Sequence, residues 1–120
     1  MGTSSDYRLG SIWLIRFDPS VGTEIRKTRP AIIISGTAFN QRTKVTVLPL
    51  TTSQPGDRRL LSVVVPITPS DNNGLDADSF LICIDPVTFD KRRLVQYLGQ
   101  LEEEQTQQAK AILRRYLELD

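Results

Sequence analysis

A chain of 120 residues, 39% of them hydrophobic and 24% charged, has the size and balance of one globular domain that buries roughly two-thirds of its unfolded surface. Its single cysteine, Cys83, excludes an internal disulfide framework and a Cys-rich metal site. With no histidine anywhere, His-based triads, His acid–base pairs and His metal clusters are excluded too.

The polar start, Met1 to Arg8, lacks the apolar core of a signal peptide, and Asp6 stands where a myristoylation signal needs Ser or Thr. Residues 1–7 are expected to form a flexible extension, and 8–120 a single domain. Ser11–Phe17, apolar and aromatic, predicts a strand. Pro30–Ser35 predicts a second, with proline tolerated at its first position. Val45–Leu50, Leu61–Pro66 and Phe80–Ile84 predict three more, the last fully buried, and Leu94–Leu98 a shorter one. Turn residues separate them at Asp18-Pro19, Gly36, Gln54-Pro55-Gly56-Asp57 and Asp71-Asn72-Asn73-Gly74. The tail then changes period. Ala109, Ile112, Leu113, Tyr116 and Leu117 recur at helical spacing, with Glu102–Glu104 at the start and Arg114 and Arg115 near the end, as the helix dipole favours. Several short strands and one helix predict a small, strongly bent antiparallel sheet or partial barrel. No apolar run approaches the ~20 residues that span a bilayer; the expected compartment is the cytoplasm, with no membrane partner.

The net charge of +1 conceals segregation. From Glu24 to Arg59, seven Lys/Arg stand against Glu24 and Asp57. From Leu60 to Asp90 there are five Asp and no basic residue. This pattern suits a basic face for a polyanion beside an acidic rim, or segregated solvated charge. The connection Val21–Arg29 is long for a hairpin, and such loops often carry function. Arg29 precedes Pro30, which extends its backbone, and its planar fork matches a phosphate; pairing with Glu24 or with solvent is the other reading. Thr51, Thr52 and Ser53 end an apolar strand and supply hydroxyls for a ligand or a turn. Arg58 and Arg59 are placed to meet a phosphate backbone or to guard the following strand. Asp71–Asp78 lacks the alternation and closing Glu of a calcium loop and predicts a turn. Cys83, inside an apolar strand, predicts a buried, inert thiol. Lys91-Arg92-Arg93 suits RNA or a solvated turn.

Three ordered blocks resemble one family. Gly10-Ser11-Ile12-Trp13-Leu14, Phe17-Asp18-Pro19 and Val21-Gly22-Thr23-Glu24-Ile25-Arg26-Lys27-Thr28-Arg29-Pro30-Ala31 form the first. Leu48-Pro49-Leu50-Thr51-Thr52-Ser53 forms the second, and Thr88-Phe89-Asp90-Lys91-Arg92-Arg93-Leu94 the third. Together they resemble the MazF/PemK family of mRNA interferase toxins from bacterial toxin–antitoxin pairs, over residues 8 to 118. The resemblance implies an SH3-like barrel of five to seven strands with a C-terminal helix, assembled as a homodimer. It implies metal-independent, cofactor-free, sequence-specific cleavage of single-stranded RNA to 2′,3′-cyclic phosphate and 5′-hydroxyl ends, opposed by a cognate MazE-like antitoxin. It places the catalytic arginine on Arg29, the catalytic threonine on Thr51 and the acidic loop residue on Glu24. The Arg–Asp–His set of the Kid/PemK branch has no counterpart in a chain without histidine, which favours the MazF branch.

Cleavage by the 2′-hydroxyl requires removal of its proton, stabilisation of a phosphorane and protonation of the 5′-oxygen. Arg29 and Thr51 suit the second task. Arginine, with a pKa of about 12.5–13.8, is a poor base at neutral pH, so Glu24 is the alternative proton acceptor or the residue that orients Arg29. The Pro19–Thr28 and Thr52–Arg59 loops would read bases, Thr52, Ser53 and Gln54 supplying donors and acceptors, while Arg26, Lys27, Arg58 and Arg59 would attract phosphates; Thr28 is a further RNA-binding candidate. The rival readings are a gyrase poison of the CcdB type, which shares the general fold, and a non-catalytic SH3-like binding module.

Overall fold

The hub of the structure is an eight-residue strand whose two faces are both covered. In the computed structural model, which describes residues 7–17 and 28–119, this strand is β3 (Lys44–Thr51). Val45 and Val47 enter one core, and Leu48 and Leu50 enter another. That double burial explains an apolar stretch without strict alternation. Around it lie β1 (Ser11–Arg16), β2 (Thr28–Ile33), β4 (Val64–Ile67), β5 (Ser79–Ile82), β6 (Val87–Asp90) and β7 (Leu94–Gln100), followed by α1 (Glu103–Leu117). The strands form one antiparallel seven-stranded sheet ordered β4-β5-β3-β2-β1-β7, and β6 also pairs with β3. β2 takes one edge of β3; β6 and then β5 share the other.

The sheet bends but does not close, since β4 and β7 form its two ends. Its curled half wraps Trp13, Ile15, Ala31, Ile33, Val45 and Val47. Across the gap, the rings of Phe17 and Phe89 meet edge-on at 5.2 Å. The Arg93 guanidinium lies 5.3 Å over Phe89 and donates through Nη1 to the Arg16 carbonyl at 3.2 Å. Tyr7, which the sequence reading places in the extension, stacks flat on Trp13 with ring centroids 5.1 Å apart. The other half covers the second core, which α1 closes with Ala109 and Ile112.

The elements differ from expectation in several places. Thr28 and Arg29 belong to β2, which ends at Ile33, and not to the preceding loop. Residues Arg58–Val63 form a 3-10 turn, not the start of a strand, because the Asp57 side chain caps the Arg59 N–H. The strand begins only at Val64. β6 has no period-2 signature, having just four residues, none of them buried. In Phe80–Ile84 only Leu81 and Cys83 are buried, so the strand alternates. On α1 the apolar stripe runs past the core it covers: Tyr116 and Leu117 are exposed.

The Asp71–Gly74 turn is organised by buried Asn73, whose Oδ1 accepts from the N–H groups of Ser70 and Leu75, both at 3.0 Å. Gly74, at φ +66°, packs its Cα against the Leu98 carbonyl. Glu118 holds a left-handed cap at φ 54° at the end of α1. The two positions predict opposite signs. Gly74→Ala adds strain and a backbone clash and should cost about 2–4 kcal/mol, whereas Glu118→Gly relieves strain and should add about 1 kcal/mol. Urea midpoints of the purified chains check both.

Candidate active site

Strand register brings the first two candidate residues together. β2 and β3 pair Ala31 with Pro49 and Ile32 with Leu48. The pairs end there, and Arg29 and Thr51 lie two residues beyond the last of them, at neighbouring strand ends. On its other side Arg29 pairs with Ile15 of β1, which fixes its strand in the sheet. Arg29, Thr51, Thr52 and Ser53, with Pro30 and Leu50, line a cavity of about 240 Å³.

The cavity has directional chemistry. The Ser53 N–H donates to Thr51 Oγ1 at 3.2 Å, an ST-turn bond that leaves the Thr51 hydroxyl hydrogen available for a ligand. Among the described residues no ion pair engages Arg29, which is half-buried. Ser79, at the start of β5, completes the lining. Sequence reading missed it because it arrives through the pairing of Thr51 with Phe80. The available signal was a serine opening an apolar run directly after Asp76-Ala77-Asp78.

Other candidates lie elsewhere. Glu24, Arg26 and Lys27 fall outside the described residues. Thr28 and Gln54 are exposed and do not line the cavity, and Arg58 is exposed on the 3-10 turn. Arg59 lines a second, more apolar cavity of about 350 Å³ beside Leu60, Val63, Ile112 and Tyr116. Arg59 also forks onto Asp57, Nε at 3.1 Å and Nη2 at 3.0 Å. Its hydrogen bonds hold the Asp57 carboxyl below the usual carboxylate range, and Asp57 in turn raises Arg59. Hydrogen bonds from Arg92 lower Asp90 in the same way. Both pairs contribute above the ordinary carboxylate range and lose that contribution as pH falls through the lowered values. Lys91 sits 4.3 Å over the Tyr7 ring.

No group of three or more Cys, Asp and Glu among the described residues is arranged to hold a metal ion, and no described helix is long and apolar enough to cross a membrane. Burial pushes the Cys83 thiol up to about 11, so it stays protonated and unreactive at neutral pH. Thiol reagents at pH 8 should leave the folded chain unlabelled and modify Cys83 fully once urea unfolds it; rapid labelling of the folded protein would contradict this burial.

A bent, open antiparallel sheet with a terminal helix, carrying an arginine and a hydroxyl cluster on adjacent strand ends, defines a small β protein with a polar cavity at one end of its sheet. Residues 8–117 match the family described as the PemK-like, MazF-like toxin of type II toxin–antitoxin systems, and the chain belongs to that family. It is 33% identical over 88 residues to Endoribonuclease PemK of Escherichia coli, a match covering 73% of this chain and 64% of the length of that relative. Among solved structures it is similar to the Mycobacterium tuberculosis toxin MazF-mt6, with a TM-score of 0.71, 25% identity and coverage of 92% of this chain and 98% of the other. It is also similar in fold to an endoribonuclease in complex with its cognate antitoxin from a Mycobacterial species, with a TM-score of 0.72, 23% identity and coverage of 94% and 96%.

Proposed function

We propose that this chain is the toxin of a type II toxin–antitoxin pair and acts as a sequence-specific endoribonuclease on single-stranded RNA. The observation that carries the reading is the shared cavity of Arg29 and Thr51 in a family that includes Endoribonuclease PemK. The proposed reaction is in-line attack of a ribose 2′-hydroxyl on the adjacent phosphorus, breaking the bond to the 5′-oxygen. It yields a 2′,3′-cyclic phosphate and a 5′-hydroxyl, the leaving 5′-oxygen taking its proton from water.

Arg29 supplies a permanent cation whose planar fork matches two phosphoryl oxygens as negative charge accumulates on them. Thr51, oriented by the Ser53 N–H, donates its hydroxyl hydrogen to the same oxygens. No step in this scheme requires a metal ion. Glu24 takes the 2′ proton or orients Arg29. Thr28, Thr52, Ser53 and Gln54 contact the flanking nucleotides, and Arg26, Lys27, Arg58 and Arg59 attract the phosphate chain from a distance. The working unit is a cytoplasmic homodimer, silenced by an acidic, partly apolar antitoxin segment that covers the basic face.

The decisive assay is incubation of the purified chain with a long single-stranded RNA in EDTA, with end analysis of the products. Discrete cuts bearing 5′-hydroxyl ends are expected from the wild type and none from Arg29→Ala. Thr51→Ala should lose on the order of 10²–10³ in rate, the usual cost of one donor to a developing oxyanion. Cutting by Glu24→Gln at the wild-type rate would remove Glu24 from the scheme. Intact RNA with folded wild-type protein would overturn the reading and leave a non-cleaving, partner-binding toxin of the CcdB type.

A further inference from the structure

Resting on the nuclease reading above, we infer that Ser79 selects the nucleobase held beside the scissile phosphate at the cavity that Arg29, Thr51 and Ser79 line, accepting a hydrogen bond from an exocyclic amine and so favouring adenine or cytosine there. The Ser79 hydroxyl proton has a fixed destination. Its Oγ donates to the Ala77 carbonyl at 3.0 Å, and a carbonyl can only accept. The hydroxyl hydrogen is therefore spent inside the protein, and Ser79 presents lone pairs alone. Thr51 differs: its oxygen accepts from Ser53 but its hydrogen is uncommitted, so it can give a ligand a hydrogen bond, whereas Ser79 can only take one.

Ser79 is also fixed in place. It is 4% exposed and pairs with Ile67 of β4, while its neighbour Phe80 pairs with Thr51. A rigid acceptor discriminates better than a mobile one because it cannot turn away from a wrong partner. Pro30 and Leu50 add apolar surface to the lining, suited to the flat face of a base. The amine of adenine and the oxygen of guanine occupy equivalent positions on their rings, as do the amine of cytosine and the oxygen of uracil. Against a fixed acceptor the amine forms a bond, whereas the oxygen sets lone pair against lone pair and leaves a buried acceptor unpaired.

The test uses the wild-type chain and Ser79→Ala on a library of single-stranded RNAs randomised around a mapped cut. One position beside the cut should show adenine over guanine, or cytosine over uracil. Ser79→Ala should admit the keto base at that position while cutting the parent sequence about two- to tenfold more slowly, the worth of one neutral hydrogen bond. A substrate-side version needs no variant: replacing the selected adenine by purine, or the selected cytosine by its analogue without the amine, should slow the wild type by the same factor. Wild-type cuts flanked by keto bases or by no preferred base, or a Ser79→Ala profile identical to wild type, would overturn the inference while leaving the nuclease reading standing. A wild type that cuts no RNA overturns both.

Discussion

Two hydrogen-bonded strands decide the geometry of the candidate site. Ala31 faces Pro49 and Ile32 faces Leu48 in the antiparallel pair of β2 and β3, and two residues beyond the last pair Arg29 and Thr51 line one cavity. A slip of one residue would turn every side chain of a strand to its opposite face. It would carry Ile32 and Leu48, both fully buried, out of their core and part the arginine from the threonine. The register is held because both faces of β3 are buried, Val45 and Val47 on one side and Leu48 and Leu50 on the other. Stability of the sheet and assembly of the site are thus one requirement.

The remaining features modulate that pair. Pro30 cannot donate to a neighbouring strand, and it keeps Arg29 extended just beyond the last pair with β3. The Thr51–Ser53 bond turns the chain away immediately after β3, opening the cavity at its end. The cation and the hydroxyl then face one space without competing for each other's lone pairs or hydrogens. In the proposed chemistry such preorganisation is the protein's main contribution, because fixed dipoles and charges need not reorganise as the phosphorane forms. The ion pair Arg59–Asp57, by contrast, is satisfied internally, and its cation offers less to a ligand than the bare charge count of the basic segment implies; Arg92–Asp90 is satisfied in the same way outside that segment.

Sequence periodicity made the strongest elements legible. Strands β1, β2, β3 and β7 and the terminal helix follow from long apolar or β-branched runs and from a clear change of period. The elements it missed are those whose form depends on capping or on distant partners. Asp57 captures the Arg59 N–H, so an apolar run that resembles a strand begins as a 3-10 turn. β6 is too short to show a period and exists through its pairing with Lys44–Val47. At the site, Arg29, Thr51, Thr52 and Ser53 were legible as an arginine locked by proline and hydroxyls closing a strand. Ser79 was not, because the Thr51–Phe80 pairing that delivers it joins segments nearly thirty residues apart. The family resemblance covered almost the same span as the family match, residues 8–117.

The account stands on Arg29 and Thr51 acting as one unit on one phosphate, and a double-mutant cycle measures that directly. Single-turnover cleavage of a defined RNA would be followed for the wild type, for Arg29→Lys, for Thr51→Ser or Thr51→Ala, and for the combinations. Residues that act together are strongly non-additive. The account predicts that adding Thr51→Ala to Arg29→Lys costs far less than the same change costs in the wild type. Two losses that simply multiply would mean that the arginine and the threonine serve separate steps, and would contradict the shared site that the register of β2 and β3 builds.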